Sequence, residues 1–242
     1  MKKSILLLAL TLMSINVSNA QIFGNKKIKG NGNVTTATRT TSDYNGIKCA
    51  GSMDYILVKG TEGKITIEGE ENLLEYIITE VKNGNLIVKT KKNANLSPSW
   101  NKTIKITIPF QDIEKVSLAG SGDLWNEDKI NASSFSVSLA GSGDVIINID
   151  ASSVKGSIAG SGDLTLKGTT NDLEAKVAGS GDFHGFGLEA NNTTVSVAGS
   201  GDAQVVSNKT LKARVAGTGD INYKGNPDKK DTKVAGSGSI SN

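Results

Sequence analysis

The chain has 242 residues, 37% hydrophobic and 5% aromatic, with 28 glycines, 3 prolines and 1 cysteine; 27 Lys and Arg face 24 Asp and Glu, a net charge of +3. A single cysteine excludes an internal disulfide framework, and so small a charge excess gives no basis for nucleic-acid binding. After the amino-terminal leader no stretch is long and apolar enough for a transmembrane helix.

Lys2 and Lys3 precede the apolar run Ile5 to Met13, and Ser18-Asn19-Ala20 offers small residues for cleavage. Residues 1–20 therefore read as a secretory signal peptide. This places the mature protein in the periplasm, at the cell surface or outside the cell. Residues 21–42 are polar and Thr-rich, a flexible leader or a first edge strand.

Residues 43–116 form a β-rich but irregular half. Ala50-Gly-Ser-Met-Asp54 opens it as a degenerate copy of a phrase that recurs later. Cys49 alternates with Ile47, as buried filler does, with an intermolecular disulfide or a reactive thiol as the alternatives. Lys64 to Glu68 and Asn85 to Lys89 alternate as strands do. Asn83-Gly84 predicts a type I′ hairpin turn. Glu70 to Tyr76 has some helical character. Thr103 to Ile108 reads as a strand that Pro109 ends. Lys89 to Lys102 reads as a polar loop, with Trp100 packed on the body as a lid or, alternatively, exposed to stack on a sugar ring.

Residues 117–242 repeat Ala-Gly-Ser-Gly-Asp at Ala119, Ala140, Ala159, Ala178 and Ala198, then Ala-Gly-Thr-Gly-Asp at Ala216 and Ala-Gly-Ser-Gly-Ser at Ala235. The alanines are 21, 19, 19, 20, 18 and 19 residues apart, the mark of a solenoid in which each repeat is one coil. Leu118, Leu139, Ile158, Val177, Val197, Val215 and Val234 precede the alanine. Two residues earlier stand Val116, Val137, Gly156, Ala175, Val195, Ala213 and Thr232, and polar residues separate the two columns. That period-2 pattern predicts short strands, each pairing with its counterpart about 4.8 Å away in the next coil. The fold class is all-β, a parallel β-helix (β-solenoid) of about 19-residue coils, extended and capped by the less regular N-terminal half. In the last coil Lys230 and Thr232 replace apolar residues, which blunts a terminal edge.

Asp123, Asp144, Asp163, Asp182, Asp202 and Asp220 fall in one column. Neighbouring carboxylates at coil spacing repel by roughly 1 kcal/mol in water, so something must offset them. Hydrogen bonds from turn N–H groups, as in Asx-turns, are one solution. A row of bound Ca²⁺ is the other, although the known calcium β-roll repeat has nine residues, not about 19. The six aspartates are the candidate site residues, as a structural ladder with no catalytic, cofactor or metal role assigned. His184, alone in its kind, reads as idle.

The entry Tyr44-Asn-Gly-Ile47, the phrase at Ala50 to Asp54 and the serial Ala-Gly-Ser-Gly-Asp motifs, behind a signal peptide, resemble a family of secreted bacterial proteins. These are the putative auto-transporter adhesins, named for their head GIN domain, and the resemblance spans roughly Tyr44 to Tyr223. It implies a β-helical fold and an adhesive role, and supplies no catalytic residues. The expectation is a secreted, non-catalytic surface or periplasmic protein with a glycan or surface-protein ligand. A carbohydrate-active enzyme of β-helix fold and a purely structural envelope protein are the alternatives. Oligomeric state stays open.

Overall fold

The structure is a computed structural model that describes residues 26–242. The signal peptide read at residues 1–20 lies outside the described residues. The stretch before the first coil holds two strands, β1 (Lys26–Lys29) and β2 (Val34–Thr40). The first coil follows as β3 (Gly46–Gly51) and β4 (Asp54–Lys59), then β5 (Lys64–Glu70), the single turn α1 (Glu71–Leu74), β6 (Ile77–Lys82), β7 (Asn85–Thr90), β8 (Ala94–Ser97) and β9 (Lys105–Phe110). The regular half comprises β10 (Lys115–Gly120), β11 (Leu124–Asn126), β12 (Ile130–Gly141), β13 (Val145–Gly160), β14 (Leu164–Gly179), β15 (Phe183–Gly199), β16 (Ala203–Val206), β17 (Thr210–Gly217), β18 (Ile221–Lys224), β19 (Lys229–Gly236) and β20 (Ile240–Ser241).

These strands wind into a β-solenoid. One face stacks β7, β3, β10, β12, β13, β14, β15, β17 and β19 in parallel, alanine on alanine and glycine on glycine through the repeated phrase. A second face stacks β9, β4, β11 and the starts of β13, β14 and β15, then β16, β18 and β20. In the middle coils β12 to β15 run on through a corner, and their central residues make a third face. Inward positions are filled by small aliphatics such as Ile147, Val154, Leu166 and Val197, all at most 1% exposed. Each buried Val, Leu or Ile contributes about 1.5–3 kcal/mol. Where the column runs Val137, Gly156, Ala175, the missing side chain makes room for the Phe183 ring, which a Cβ on Gly156 would meet at 2.8 Å.

Irregular coil lengths have local causes. The 20-residue step from Ala178 to Ala198 is absorbed by a bulge in β15. There His184 pairs with Thr165 but Gly187 pairs with Lys167, so Gly185 and Phe186 face one residue.

The N-terminal half does not stack in chain order. The layer of β3 and β4 lies between the layer of β7 and β9 on one side and that of β10 and β11 on the other. Antiparallel strands close the end: β6 on β7, and β5 on β9 with β2 outermost. The β6–β7 hairpin turns at Asn83 and Gly84, with φ of 50° and 70°, as a type I′ turn requires.

Three expectations are corrected. Pro109 does not end its strand: β9 continues to Phe110, pairing Pro109 with Val58. The antiparallel pairing to β5 stops at Thr107, so the proline's missing N–H falls where no strand partner is lost. Residues 89–102 are not all loop, since β8 pairs with β1 in a two-stranded parallel sheet. Trp100 is not a packed lid, because it is 96% exposed.

Candidate functional site

The repeated phrase builds a corner. Its first glycine has φ between 131° and 140° in every regular coil, a region closed to residues with a Cβ. The carbonyl of that glycine accepts two N–H groups from the next coil, as Gly120 does from Ser142 at 2.9 Å and Gly143 at 3.2 Å. One coil's Asp then answers the next. Oδ1 of Asp123 accepts the N–H of Asp144 at 3.0 Å, and Asp144 that of Asp163 at 3.0 Å. Asp163 accepts from Asp182 at 2.9 Å, Asp182 from Asp202 at 2.7 Å and Asp202 from Asp220 at 2.7 Å. Asp220 takes both the N–H and the hydroxyl of Ser239. The donor is thus the neighbouring coil's own aspartate N–H, not a turn N–H within the same coil as in an Asx-turn. The amides of the corner reach across the coil spacing to their counterparts in the neighbouring coil. Asp54, in the degenerate copy, has its carboxyl pushed up by burial, partly offset by the Asp123 N–H.

His184 stands beside this row. It offers an imidazole nitrogen within 4.8 Å of a carboxylate oxygen of both Asp163 and Asp182, and its Nε2 lies 3.7 Å from Asp163 Oδ2. The side chains of His184 and Asp163 are more than 40% exposed, and Oδ1 of each aspartate already accepts a backbone N–H. The trio is a part-exposed imidazole–carboxylate cluster on the ladder. Cys49 is 2% exposed, between Leu118 and Val88 in the stack, and burial pushes its thiol up. It therefore sits as buried filler in the stack.

Away from the aspartate ladder, the regular coils carry a groove of 440 Å³ on the face of β13 to β19. Its rims are two columns in register. One is Ser153, Asp172, Asn192, Thr210 and Lys229; the other is Lys155, Glu174, Thr194, Lys212 and Asp231. Between them run Leu173, Thr193 and Leu211, each 2% exposed. Within the first rim, Asn192 Nδ2 donates to Asp172 Oδ1 at 2.9 Å and Thr210 Oγ1 donates to Asn192 Oδ1 at 2.9 Å. In the second, the Glu174 carboxyl is held low by Lys176, two residues on along its strand at 2.6 Å, and by Lys155 at 3.4 Å. A second trench crosses the third face, where adjoining hollows share Asp112 and Asn131, then Ala132 and Asp150. Both surfaces present hydrogen-bonding groups that recur at coil spacing. The aspartate column was the sharper signal in the sequence. The groove rims were there too, at fixed offsets from each alanine, but polar variety hid them.

The profile of one family, described as "Putative auto-transporter adhesin, head GIN domain", matches residues 43–227. No functionally curated protein matches the chain. Among solved structures, a putative adhesin from Bacteroides fragilis is similar with a TM-score of 0.79 and 26% identity, covering 89% of this chain and 99% of that one. A putative lipid binding protein from Parabacteroides distasonis has a TM-score of 0.71 and 30% identity, with 89% of this chain and 99% of that one covered. A putative adhesin from Parabacteroides distasonis, at 24% identity and a TM-score of 0.71, shares the fold, covering 89% of this chain and 99% of that one.

Proposed function

The chain belongs to the family of putative auto-transporter adhesins with a head GIN domain, and on that premise we propose that it is an exported, non-catalytic protein that binds a glycan or a surface protein along its coils. One observation carries this reading. The groove on β13 to β19 is lined by the same positions of successive coils, so polar and charged side chains, varied in kind, stand at the coil spacing. A ladder of that kind matches a ligand whose own groups repeat, as those of a polysaccharide do, better than it matches one small molecule. The carboxylates of the corner ladder are committed to backbone N–H groups. They recur in six successive coils, whereas a reaction centre breaks a repeat at one place, and fold alone is no argument for activity.

The test is a screen of the processed chain, Gln21 to Asn242, on microbial and host polysaccharides, with released oligosaccharides assayed in the same samples. Saturable binding without cleavage, lost in Asn192→Ala with Thr210→Ala, supports the reading. Cleavage overturns it in favour of an enzyme. No binding to any polysaccharide removes the glycan, and pull-down from envelope extracts then decides between a protein partner and a purely structural role.

A further inference from the structure

At the end of the stack opposite β19 a small lobe stands out from the solenoid. It is the sheet of β1 and β8, tied to the body by Ile28 and Leu96, each 9% exposed and part of the core cluster. The chain leaving β8 turns through Pro98, Ser99, Trp100 and Asn101. Asn101 has a φ of 58°, and the Lys102 N–H closes back on the Ser99 carbonyl at 3.0 Å. This turn is stapled from beneath. Glu70, 1% exposed, accepts the Ser99 N–H at 2.8 Å and the Ser99 hydroxyl at 2.6 Å, and also holds the Gly32 N–H. Trp100 is thus presented on a fixed turn with 96% of its surface in solvent.

A side chain that gains more than any other from leaving water is here held in it. The lobe that carries it is basic. Lys26, Lys27 and Lys29 of β1, Lys91 and Lys92 before β8, and Lys102 after the turn are all exposed. None of the six is in an ion pair among the described residues. The exposed acids next to them are Glu71 and Glu75, on and just after α1. An indole that sits at the boundary between water and hydrocarbon, on a lobe whose lysines attract anionic headgroups, is the chemistry of an interfacial membrane contact. A sugar platform would want hydrogen-bonding side chains converging beside the ring; the hydrogen-bonding grooves described above lie elsewhere, and Trp100 lines none of them. We infer that the Trp100 turn and its lysines dock the N-terminal end of the solenoid onto an anionic lipid surface. The inference is independent of what the coils bind.

Trp100 and Trp125 are the two tryptophans, so Trp125→Phe leaves Trp100 as the reporter. The processed chain carrying that change is mixed with vesicles of phosphatidylglycerol and phosphatidylcholine, and with phosphatidylcholine alone. The expected result is co-sedimentation with the anionic vesicles and a blue shift of Trp100 emission, both weakening as salt is raised. Trp100→Ala should lower partitioning by about ten-fold or more with its melting temperature unchanged, and Lys27→Glu with Lys29→Glu should lower it several-fold. No partitioning into anionic vesicles overturns the inference, as does partitioning that Trp100→Ala leaves intact. A blue shift with soluble oligosaccharides and none with vesicles also overturns it, and makes Trp100 a sugar platform instead.

Discussion

A Cβ placed on Gly143 would lie 1.9 Å from the carbonyl oxygen of Gly122, the equivalent residue one coil away. The corner is so tight that backbone packs on backbone. Gly143→Ala must push two coils apart, and should cost about 3 kcal/mol or more in chemical denaturation. Gly60→Ala is the control: its Cβ would meet Pro109 at an ordinary 3.5 Å, and it should stay within about 0.5 kcal/mol of the parent.

The aspartate column should behave as hydrogen-bond acceptors and not as cation ligands. Asp163→Ala leaves the Asp182 N–H without its partner and should destabilise by about 1 kcal/mol. Asp163→Asn keeps an oxygen in the same place and removes a charge between two like charges, so it should cost less than the alanine. Chelator should leave the melting temperature of the parent unchanged. A large drop would mean that cations, not amides, hold the ladder.

Acid should loosen the Trp100 turn before it unfolds the coils. The Ser99 hydroxyl and N–H hold the Glu70 carboxyl below its ordinary range. A carboxylate with a depressed folded pKa stabilises fully above its unfolded value, about 4.3 for Glu, and that contribution fades as pH falls through the folded value. Trp100 fluorescence anisotropy in the Trp125→Phe background should therefore be flat at neutral pH and drop below about pH 4. In Glu70→Gln, where the charge is gone, it should be low throughout.

The far edge should be kept monomeric by its polar residues. All eight residues of β19 are exposed, and Lys230 and Thr232 continue the columns of Leu211 and Ala213. Lys230→Leu with Thr232→Val restores an apolar inward face on an open strand, which is the pattern that recruits another strand. Light scattering should show concentration-dependent association of this variant and none of the parent.

The regular half was legible because one residue type recurs at one place. Val116 to Val234, the paired glycines and the aspartates announce both the strand period and the coil period, and the stack follows. The N-terminal layers were only half legible. Ala50-Gly-Ser-Met-Asp54 could be recognised as a coil, and it does lie against Ala119 to Asp123. But Val88, which faces Cys49, belongs to no repeated phrase, so nothing marked β7 and β9 as the layer beneath. Trp100 was misjudged for a related reason. An aromatic in a loop is ordinarily covered, and the staple that holds this one outward depends on Glu70, a residue 30 positions away whose side chain gives no local sign of its target. The groove rims depended on alignment of polar residues that differ from coil to coil, where strand register does the work that residue identity does not.

The out-of-order layering at the amino-terminal end also sets how the rod can be assembled. A chain made from its amino terminus brings out β3 and β4 before either of their neighbours, which arrive much later, β7 and β9 on one side and β10 and β11 on the other. Closing that sandwich is the slow, long-range step, because the loops it joins are the longest in the molecule. Once it is closed, every later coil meets a finished template one turn behind it and needs only a local loop to add on. The molecule then grows like a crystal from a seed, in one direction, and the lysines of β19 discourage a strand of another molecule from joining it.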